Sequence, residues 1–379
     1  MQCGPLCCDW GRRRRRGCCS CSRLAAVTVT QPFCSLLLPW RQCRPVVLVI
    51  RKQRLLRCSA IMGSAALLLL LVAVLLLGGS WGSYLHSTKP PLNDRPVIGV
   101  LAQETHFHNL LPLGRSYIAA SYVKTLESAG ARVYPIRINL SESEYVKIFN
   151  SINGILLPGG DVDLLFSEYA RVSKIFYNLA IAAYGHGDYF PIWGTCLGFE
   201  QLTVLTSGEL LLTLTDTDDI SLPLNFTADA FSSKLFRNIP RPLYKALSNM
   251  PITANFHFWS LSMQNFTEND KLRNFYHVLS TNSDGTLEFI STFEARNYPI
   301  YGVQWHPEKN PFEWKKTADI SHTAEAVYAA YYMAEFFVKE AKKSQHQFSE
   351  EEEKEHPLIY NYCPLYTGNI SVFEQMYFF

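Results

Sequence analysis

Short apolar runs alternate with longer amphipathic stretches from Pro96 onward. The runs that we interpret as buried strands are Val97–Leu101, Arg132–Ile136, Ile152–Leu157, Phe190–Trp193 and Pro299–Trp305. Alternation of this kind is typical of βα units and a parallel sheet. The pattern therefore predicts an α/β fold with a mainly parallel central sheet.

Helical spacing of apolar residues marks the stretches between these strands. The segment Tyr117–Ala129 is predicted to be a helix that ends at Gly130, and Ala324–Lys342 is predicted to be a closing helix. The acidic run Glu350–Glu353 is interpreted as a solvated loop. Since no repeat or linker divides residues 83–379, we expect them to form one domain.

An apolar segment near the start of the chain predicts export. Residues 65–77 are thirteen uncharged apolar residues, and small residues follow them. A membrane span needs about 20 such residues, so a signal peptide over 62–82 is favoured over a membrane anchor. Met62, just before the run, is a candidate working start of the protein.

The first 61 residues differ in composition from the rest. Twelve Lys or Arg face one acid before residue 61, and nine of the eleven cysteines lie there. Nucleic-acid or metal binding is one interpretation, but the cysteine spacings match no zinc pattern. We expect an extension that is disordered or absent from the mature protein, and no nucleic-acid partner. The formal net charge of +2 therefore hides an acidic body.

Asparagine sequons support the prediction of export. Four N-x-[ST] sequences predict surface glycosylation, at Asn139, Asn225, Asn265 and Asn369. Only Cys196 and Cys363 remain after residue 61, too few for a disulfide framework.

One of these two cysteines lies in a sequence suited to nucleophilic catalysis. Gly194-Thr195-Cys196-Leu197-Gly198 places a thiol between an apolar strand and a plausible helix, as in a nucleophile elbow. The helix N-terminus is expected to favour the thiolate. A buried core cysteine is the alternative interpretation of this motif alone.

A histidine and a carboxylate follow another predicted strand. In Gln304-Trp305-His306-Pro307-Glu308 the proline stops the strand, so that His306 and Glu308 can turn to the same side. His306 is then the candidate base for Cys196, and Glu308 the residue that orients it. Glu200, one helical turn after the thiol, is a rival orienting carboxylate.

The order P-G-G at 158–160, G-x-C-x-G at 194–198 and H-P-E at 306–308 resembles the class I glutamine amidotransferase superfamily. Over residues 96–340 this resemblance implies a flavodoxin-like three-layer sandwich with helices on both faces of the sheet. It also implies a thioester mechanism, with oxyanion donors at the backbone N–H groups of Gly160 and Leu197. His257 resembles a family histidine near the substrate, and a packed aromatic-cluster histidine is the alternative.

Three segments resemble the branch of the family that hydrolyses γ-glutamyl bonds of folylpoly-γ-glutamates: 153–160, 193–200 and 253–257. The resemblance implies this small-molecule substrate and a lysosomal or secreted location; a homodimer is left open. The sequence contains no phosphate-binding loop, no H-E-x-x-H and no clustered metal ligands, so no cofactor is implied. Arg115 and Lys124 are among the basic residues that could hold substrate carboxylates. Other γ-glutamyl peptides or amines are alternative substrates, and a non-catalytic binding protein is the alternative from another class.

Overall fold

The centre of the molecule is an eight-stranded sheet, seen in a computed structural model that describes residues 91–355 and 357–379. The predicted extension (1–61), the predicted signal peptide (62–82) and residues 83–90 lie outside this described part. The strands of the sheet are, from one edge to the other, β4 (Arg132–Ile136), β1 (Val97–Leu101), β5 (Ile155–Leu157), β6 (Ile192–Thr195), β12 (Ile300–Val303), β11 (Glu288–Ala295), β10 (Tyr276–Ser283) and β8 (Asn225–Phe226).

Two smaller sheets accompany the central one. The first has four strands, in the order β2 (Gln103–Glu104), β3 (Ser116–Ala119), β14 (Gln375–Phe378) and β13 (Leu365–Tyr366). The second has two strands, β7 (Leu212–Leu222) and β9 (Thr253–Leu261). The helices are α1 (Ala120–Ser128), α2 (Glu142–Ser151), α3 (Glu168–Gly185), α4 (Leu197–Ser207), α5 (Arg241–Asn249), α6 (Met263–Glu268), α7 (Asp270–Phe275), α8 (Lys309–Phe312), α9 (Ala324–Ala341) and α10 (Glu350–Glu355). Short 3-10 helices lie at Ala228–Ser232 and Ile359–Asn361.

The parallel part of the central sheet confirms the predicted fold class. Strands β4, β1, β5, β6 and β12 run parallel in that order, whereas β11, β10 and β8 are antiparallel additions. Numbered along the chain, the parallel strands follow the flavodoxin-like order 2-1-3-4-5. Ligands of such sheets bind beyond the carboxyl ends of the strands.

Helices cover both faces of the sheet, and each face has its own apolar core. Side chains of α2, α3 and α4 pack on one face, around Phe176 and Phe199. Those of α1, α5 and α9 pack on the other, around Trp193 and Phe337. This arrangement is the predicted three-layer sandwich.

Two predictions of local structure were wrong. Residues 116–119 form β3, so the helix predicted from Tyr117 begins only at Ala120; tertiary pairing with β14 decides this segment. The acidic run predicted as a loop is helix α10. Ser349 Oγ accepts the Glu352 N–H while Glu352 accepts the Ser349 N–H, and acidic residues in the first turn stabilise a helix.

The carboxyl ends of β5, β6 and β12 lie side by side. Leu157 pairs with Gly194 and Val303 pairs with Thr195, so the residues that follow these strands meet at one edge of the sheet. Within residues 91–355 and 357–379, no helix has both the length and the apolar character needed to cross a membrane.

Candidate active site

Cys196 lies in a strained turn between β6 and α4. Its φ of 50° and ψ of −108° are rare for a residue with a side chain, and the two flanking glycines explain how the turn closes. A Cβ on Gly198 would overlap the Leu157 carbonyl, and one on Gly194 would lie 2.5 Å from the Gly198 oxygen. The local geometry is therefore that of a nucleophile elbow.

His306 and Glu308 form a buried pair beside this elbow. His306 Nδ1 lies 2.7 Å from Glu308 Oε1, and both side chains are at most 5% exposed. A bond from Nδ1–H to the carboxylate leaves Nε2 as the nitrogen free to act as a base. A Cβ on Gly159 would lie 2.6 Å from His306 Cε1 and 3.2 Å from Cys196 Cβ, so the thiol and the imidazole meet above that glycine.

The resting thiol is protonated. Burial raises the pKa of Cys196 well above 9.0, and the charges of Glu200 and Glu308 raise it further. The Leu197 N–H bonds to the sulfur and, with the Lys309 charge, lowers this pKa in part. The helix N-terminus expected to favour the thiolate is thus outweighed by burial. The thiol lies 3.8 Å from the Phe256 carbonyl oxygen, to which it donates.

His306 is neutral in the same state. Burial lowers the pKa of His306 below 6.5, although the Glu308 carboxylate opposes this shift. Burial alone would raise the pKa of Glu308, but the hydrogen bond with His306 and the charge of Lys309 lower it on balance. A neutral thiol, a neutral imidazole and a carboxylate therefore stand ready for a proton transfer that accompanies attack.

Glu200, the rival orienting carboxylate, has another partner. Its Oε1 accepts a bond of 3.0 Å from Gln304 Nε2. Burial raises the pKa of Glu200 to about 8, so it is uncharged in neutral or acidic solution. Glu308, and not Glu200, contacts the imidazole of His306.

His257 lies in a polar network of the β7–β9 sheet. Its Nδ1 lies 2.9 Å from Thr217 Oγ1 and its Nε2 lies 3.2 Å from Asn255 Oδ1. Burial and, to a smaller extent, the nearby His306 lower the pKa of His257 to about 3. Both ring nitrogens are engaged within the protein in this state. The neighbouring residue, Phe256, is the one that contacts Cys196.

Lys309 is a buried cation that the sequence analysis missed. It is 3% exposed, and its ammonium lies 4.7 Å from the ring centroids of both Phe256 and Phe373. In the described part of the chain no ion pair includes it. The signal was its place immediately after the H-P-E motif.

The basic residues proposed for substrate carboxylates are placed differently. Arg115 is exposed and lines, with Arg137 and Asn139, a cavity of about 510 Å³ beyond β3 and β4. Lys124 lies 5.8 Å from the ring centroid of Phe312. In the part of the chain that the structure describes, no hydrogen bond joins either side chain to Cys196 or His306.

The sequon asparagines differ in exposure. Asn139, Asn225 and Asn369 are exposed. Asn265 is half-buried, and its Nδ2 donates to the Leu211 carbonyl at 2.8 Å and to Thr213 Oγ1 at 3.1 Å. A glycan at this residue would replace those bonds.

No cluster of three His, Cys, Asp or Glu side chains that could hold a metal occurs in residues 91–355 and 357–379.

Comparison with known proteins points to a family of peptidases. The peptidase C26 family model matches residues 96–308. A γ-glutamyl hydrolase of Bos taurus is 56% identical over 304 residues, which are 80% of this chain and 96% of that protein. The γ-glutamyl hydrolase of Homo sapiens is 58% identical over 285 residues, 75% of this chain and 90% of its own length.

Among solved structures, the glutaminase domain of Trypanosoma brucei CTPS is similar with a TM-score of 0.43 and 14% identity, over 67% of this chain and 98% of that one. A glutamine amidotransferase of Thermotoga maritima is similar with a TM-score of 0.38 and 13% identity, over 66% of this chain and 99% of the other.

Proposed function

Because this chain belongs to the peptidase C26 family, we propose that its substrates are folylpoly-γ-glutamates, which it cuts in lysosomes or after secretion. The chain is a cysteine-type hydrolase of γ-glutamyl bonds, as its curated relatives are. The observation that carries the assignment of the site is the meeting of Cys196, His306 and Glu308 at the carboxyl edge of the sheet.

The first half of the reaction forms a thioester. Cys196 Sγ attacks the γ-carbonyl carbon while His306 Nε2 takes the thiol proton, and the Glu308 carboxylate stabilises the imidazolium. The carbonyl oxygen becomes an oxyanion that accepts hydrogen bonds from the N–H groups of Leu197 and Gly160. Collapse of this intermediate breaks the bond from carbon to nitrogen, and His306 gives its proton to the departing amine.

Water completes the cycle. His306, neutral again, takes a proton from water as its oxygen attacks the thioester carbon, and a second oxyanion occupies the same donors. Collapse expels the Cys196 thiolate, which is protonated by His306, and releases the γ-carboxylate product. His306 passes the thiol proton to the departing amine and the water proton to the Cys196 thiolate. Cys196, His306 and Glu308 therefore suffice for formation and hydrolysis of the thioester.

Lys309 supports a substrate rich in carboxylates. A γ-glutamyl unit carries an α-carboxylate a few bonds from the carbonyl that is attacked. The buried ammonium of Lys309 is close enough to His306 and Cys196 for its charge to lower the pKa of both. A cation held between two rings and outside any described ion pair suits recognition of that carboxylate. Whether His257 also contacts substrate stays a prediction.

The electrostatics of the site support work in an acidic compartment. A histidine whose pKa lies below 6.5 keeps a neutral imidazole, and hence a base, in mildly acidic solution. The exposed sequons Asn139, Asn225 and Asn369 are consistent with passage through the secretory pathway. Amino-terminal sequencing of the protein released by cultured cells tests the export; a mature start well before residue 78 contradicts it.

The activity is tested with residues 83–379 and folyl-tri-γ-glutamate, with separation of the products. We expect cleavage by the unaltered protein and by Cys363→Ala, and none by Cys196→Ala. Cys363 is the matched control because it is an exposed free thiol, whereas Cys196 is buried. Equal cleavage by both cysteine variants would contradict the proposed nucleophile.

The folate end of the substrate needs a separate comparison. We expect a higher kcat/KM for folyl-tri-γ-glutamate than for a γ-glutamyl tripeptide without the folyl group. Equal values would favour the alternative of a hydrolase for other γ-glutamyl peptides. Sedimentation of the same preparation measures whether the chain is a homodimer.

A further inference from the structure

Two buried side chains from one segment of the chain hold the loop after β5. Gln103 lies on β2 and Tyr122 on α1, and they are 2% and 1% exposed. Both contact Gly159, which is 37 residues or more further along the chain. Neither residue is part of the triad, and neither was singled out from the sequence.

Gln103 fixes the direction of one peptide bond. Its Nε2 donates to the Gly159 carbonyl oxygen at 2.7 Å. The peptide that joins Gly159 to Gly160 is planar and trans, so the Gly160 N–H is antiparallel to that carbonyl and is directed away from Gln103. Gly160 is the exposed residue of this pair. Rotation of the peptide would break the bond to Gln103 and turn the N–H inward.

Tyr122 fixes the preceding peptide and joins it to the triad. Its hydroxyl accepts the Gly159 N–H at 2.8 Å and lies 3.3 Å from His306 Nδ1. The Glu308 carboxylate is a further hydrogen-bond partner of this hydroxyl. The loop and the imidazole are thus positioned by the same atom.

We propose that Gln103 and Tyr122 are positioning residues that hold the Gly160 N–H ready for the oxyanion before substrate binds. The inference rests on the proposed function, in which Gly160 is an oxyanion donor. It also explains why residue 160 is glycine: a Cβ there would overlap the Gln103 amide and displace it. A donor that is preorganised in this way acts on the transition state more than on the bound substrate.

The main test is Gln103→Met, which keeps the length of the side chain and removes the donor. We expect kcat for folyl-tri-γ-glutamate to fall about 100-fold, the usual effect of losing one oxyanion donor. KM should stay within about twofold, because the donor acts in the transition state. Tyr122→Phe, which removes the acceptor of the Gly159 N–H, should lower kcat about tenfold.

Tyr145→Phe is the matched control. Its hydroxyl also accepts a backbone N–H, that of Leu140, and donates to the Arg137 carbonyl, but at the α2 side of the sheet. We expect it to lower the midpoint of urea unfolding without changing kcat. An equal loss of kcat in Tyr122→Phe and Tyr145→Phe would overturn the role of Tyr122.

A second measurement separates positioning from folding. The second measurement uses an N-acyl-glutamate γ-aldehyde. Cys196 Sγ adds to its carbonyl carbon to form a hemithioacetal, and the former carbonyl oxygen then occupies the oxyanion site. We expect Gln103→Met to bind this aldehyde about 100-fold more weakly and to bind the N-acyl-glutamate product as the unaltered protein does. Parallel losses for both ligands, or an unchanged kcat, would overturn the proposal. An unaltered protein that fails to cleave γ-glutamyl bonds would instead refute the proposed function.

Discussion

A histidine–carboxylate pair lies at each end of the parallel strands of the central sheet, one at the carboxyl edge and one at the amino edge. At the carboxyl edge His306 Nδ1 bonds to Glu308; at the amino edge His346 Nε2 bonds to Asp188 at 2.9 Å. His346 Nδ1 also bonds to the Phe149 carbonyl at 2.7 Å, so both of its nitrogens are engaged. His306 keeps Nε2 free. Of the two pairs, only that of His306 has both a ring nitrogen without a partner in the described residues and a nucleophile nearby, so His306 is the one suited to act as a base.

The largest expected difference between the edges comes from replacing each histidine. His306→Gln should lower kcat by about 10⁴-fold or more, because the thiol then loses its base. His346→Gln should leave kcat unchanged and lower the free energy of unfolding by about 1–2 kcal/mol, as bonds to the backbone are lost. Steady-state kinetics and urea unfolding measure the two effects. Similar kcat values in both variants would remove the distinction.

The carboxylates give the next contrast. Glu308→Gln should lower kcat by about 10³-fold to 10⁴-fold, since an amide no longer fixes the tautomer or stabilises the imidazolium. Asp188→Asn is the control at the amino edge, where Asp188 is 39% exposed; we expect no change in kcat. If Glu308→Gln were nearly as active as the unaltered protein, the orienting group would have to be sought elsewhere.

A third test concerns binding at the carboxyl edge. Lys309→Met keeps the bulk between Phe256 and Phe373 but removes the charge, and KM for folyl-tri-γ-glutamate should rise about 30-fold with little change in kcat. Lys339→Met, at an exposed pair on α9, is the control and should leave KM unchanged. An unaltered KM in Lys309→Met would exclude Lys309 from carboxylate recognition.

A separate prediction concerns the slope of stability with pH. The pKa of Glu200 is about 8 in the folded protein against 4.5 when unperturbed. Between these values the folded state holds the proton longer than the unfolded state does. The contribution of Glu200 to the free energy of unfolding is therefore highest below pH 4.5 and falls as pH rises towards 8. Glu200→Gln should remove that contribution.

Urea unfolding of the unaltered protein and of Glu200→Gln at pH 4.5, 6 and 8 measures this difference. His257 has the opposite effect between about pH 3 and 6.5, because its folded pKa is depressed to about 3. Only the difference between the two proteins at each pH is therefore informative. Parallel pH profiles would show that Glu200 is charged in the folded state.

The strands of the parallel sheet could be predicted because their signal is local. Val97–Leu101 and Arg132–Ile136 have the bounds that their apolar runs indicate. The spacing of residues 117–119 predicts a helix, whereas pairing with β14, more than 250 residues away, makes them part of a strand. For residues 350–353 the charge suggested a loop, and the capping role of Ser349 was overlooked.

The residues of the active site likewise divide into those with a local sequence signal and those without one. Cys196, His306 and Glu308 lie in short motifs after strands, so the sequence alone brings them to one edge of the sheet. Their surroundings come from elsewhere in the chain: Tyr122 reaches His306 across 184 residues. The effect of burial on the thiol was also missed, because it depends on Phe256 and on the packing around the turn.

The pairing of β14 with β3 has a consequence for how proteolysis affects the protein. The Phe379 carbonyl accepts N–H bonds from Arg115 and Ser116, and β3 leads directly into the helix that carries Tyr122. A carboxypeptidase that trims the chain past Phe373 would strip one side of β3 and uncover Lys309. Activity should then decline well before the central sheet unfolds. Enzyme assays would therefore detect this proteolysis earlier than spectroscopic probes of the fold.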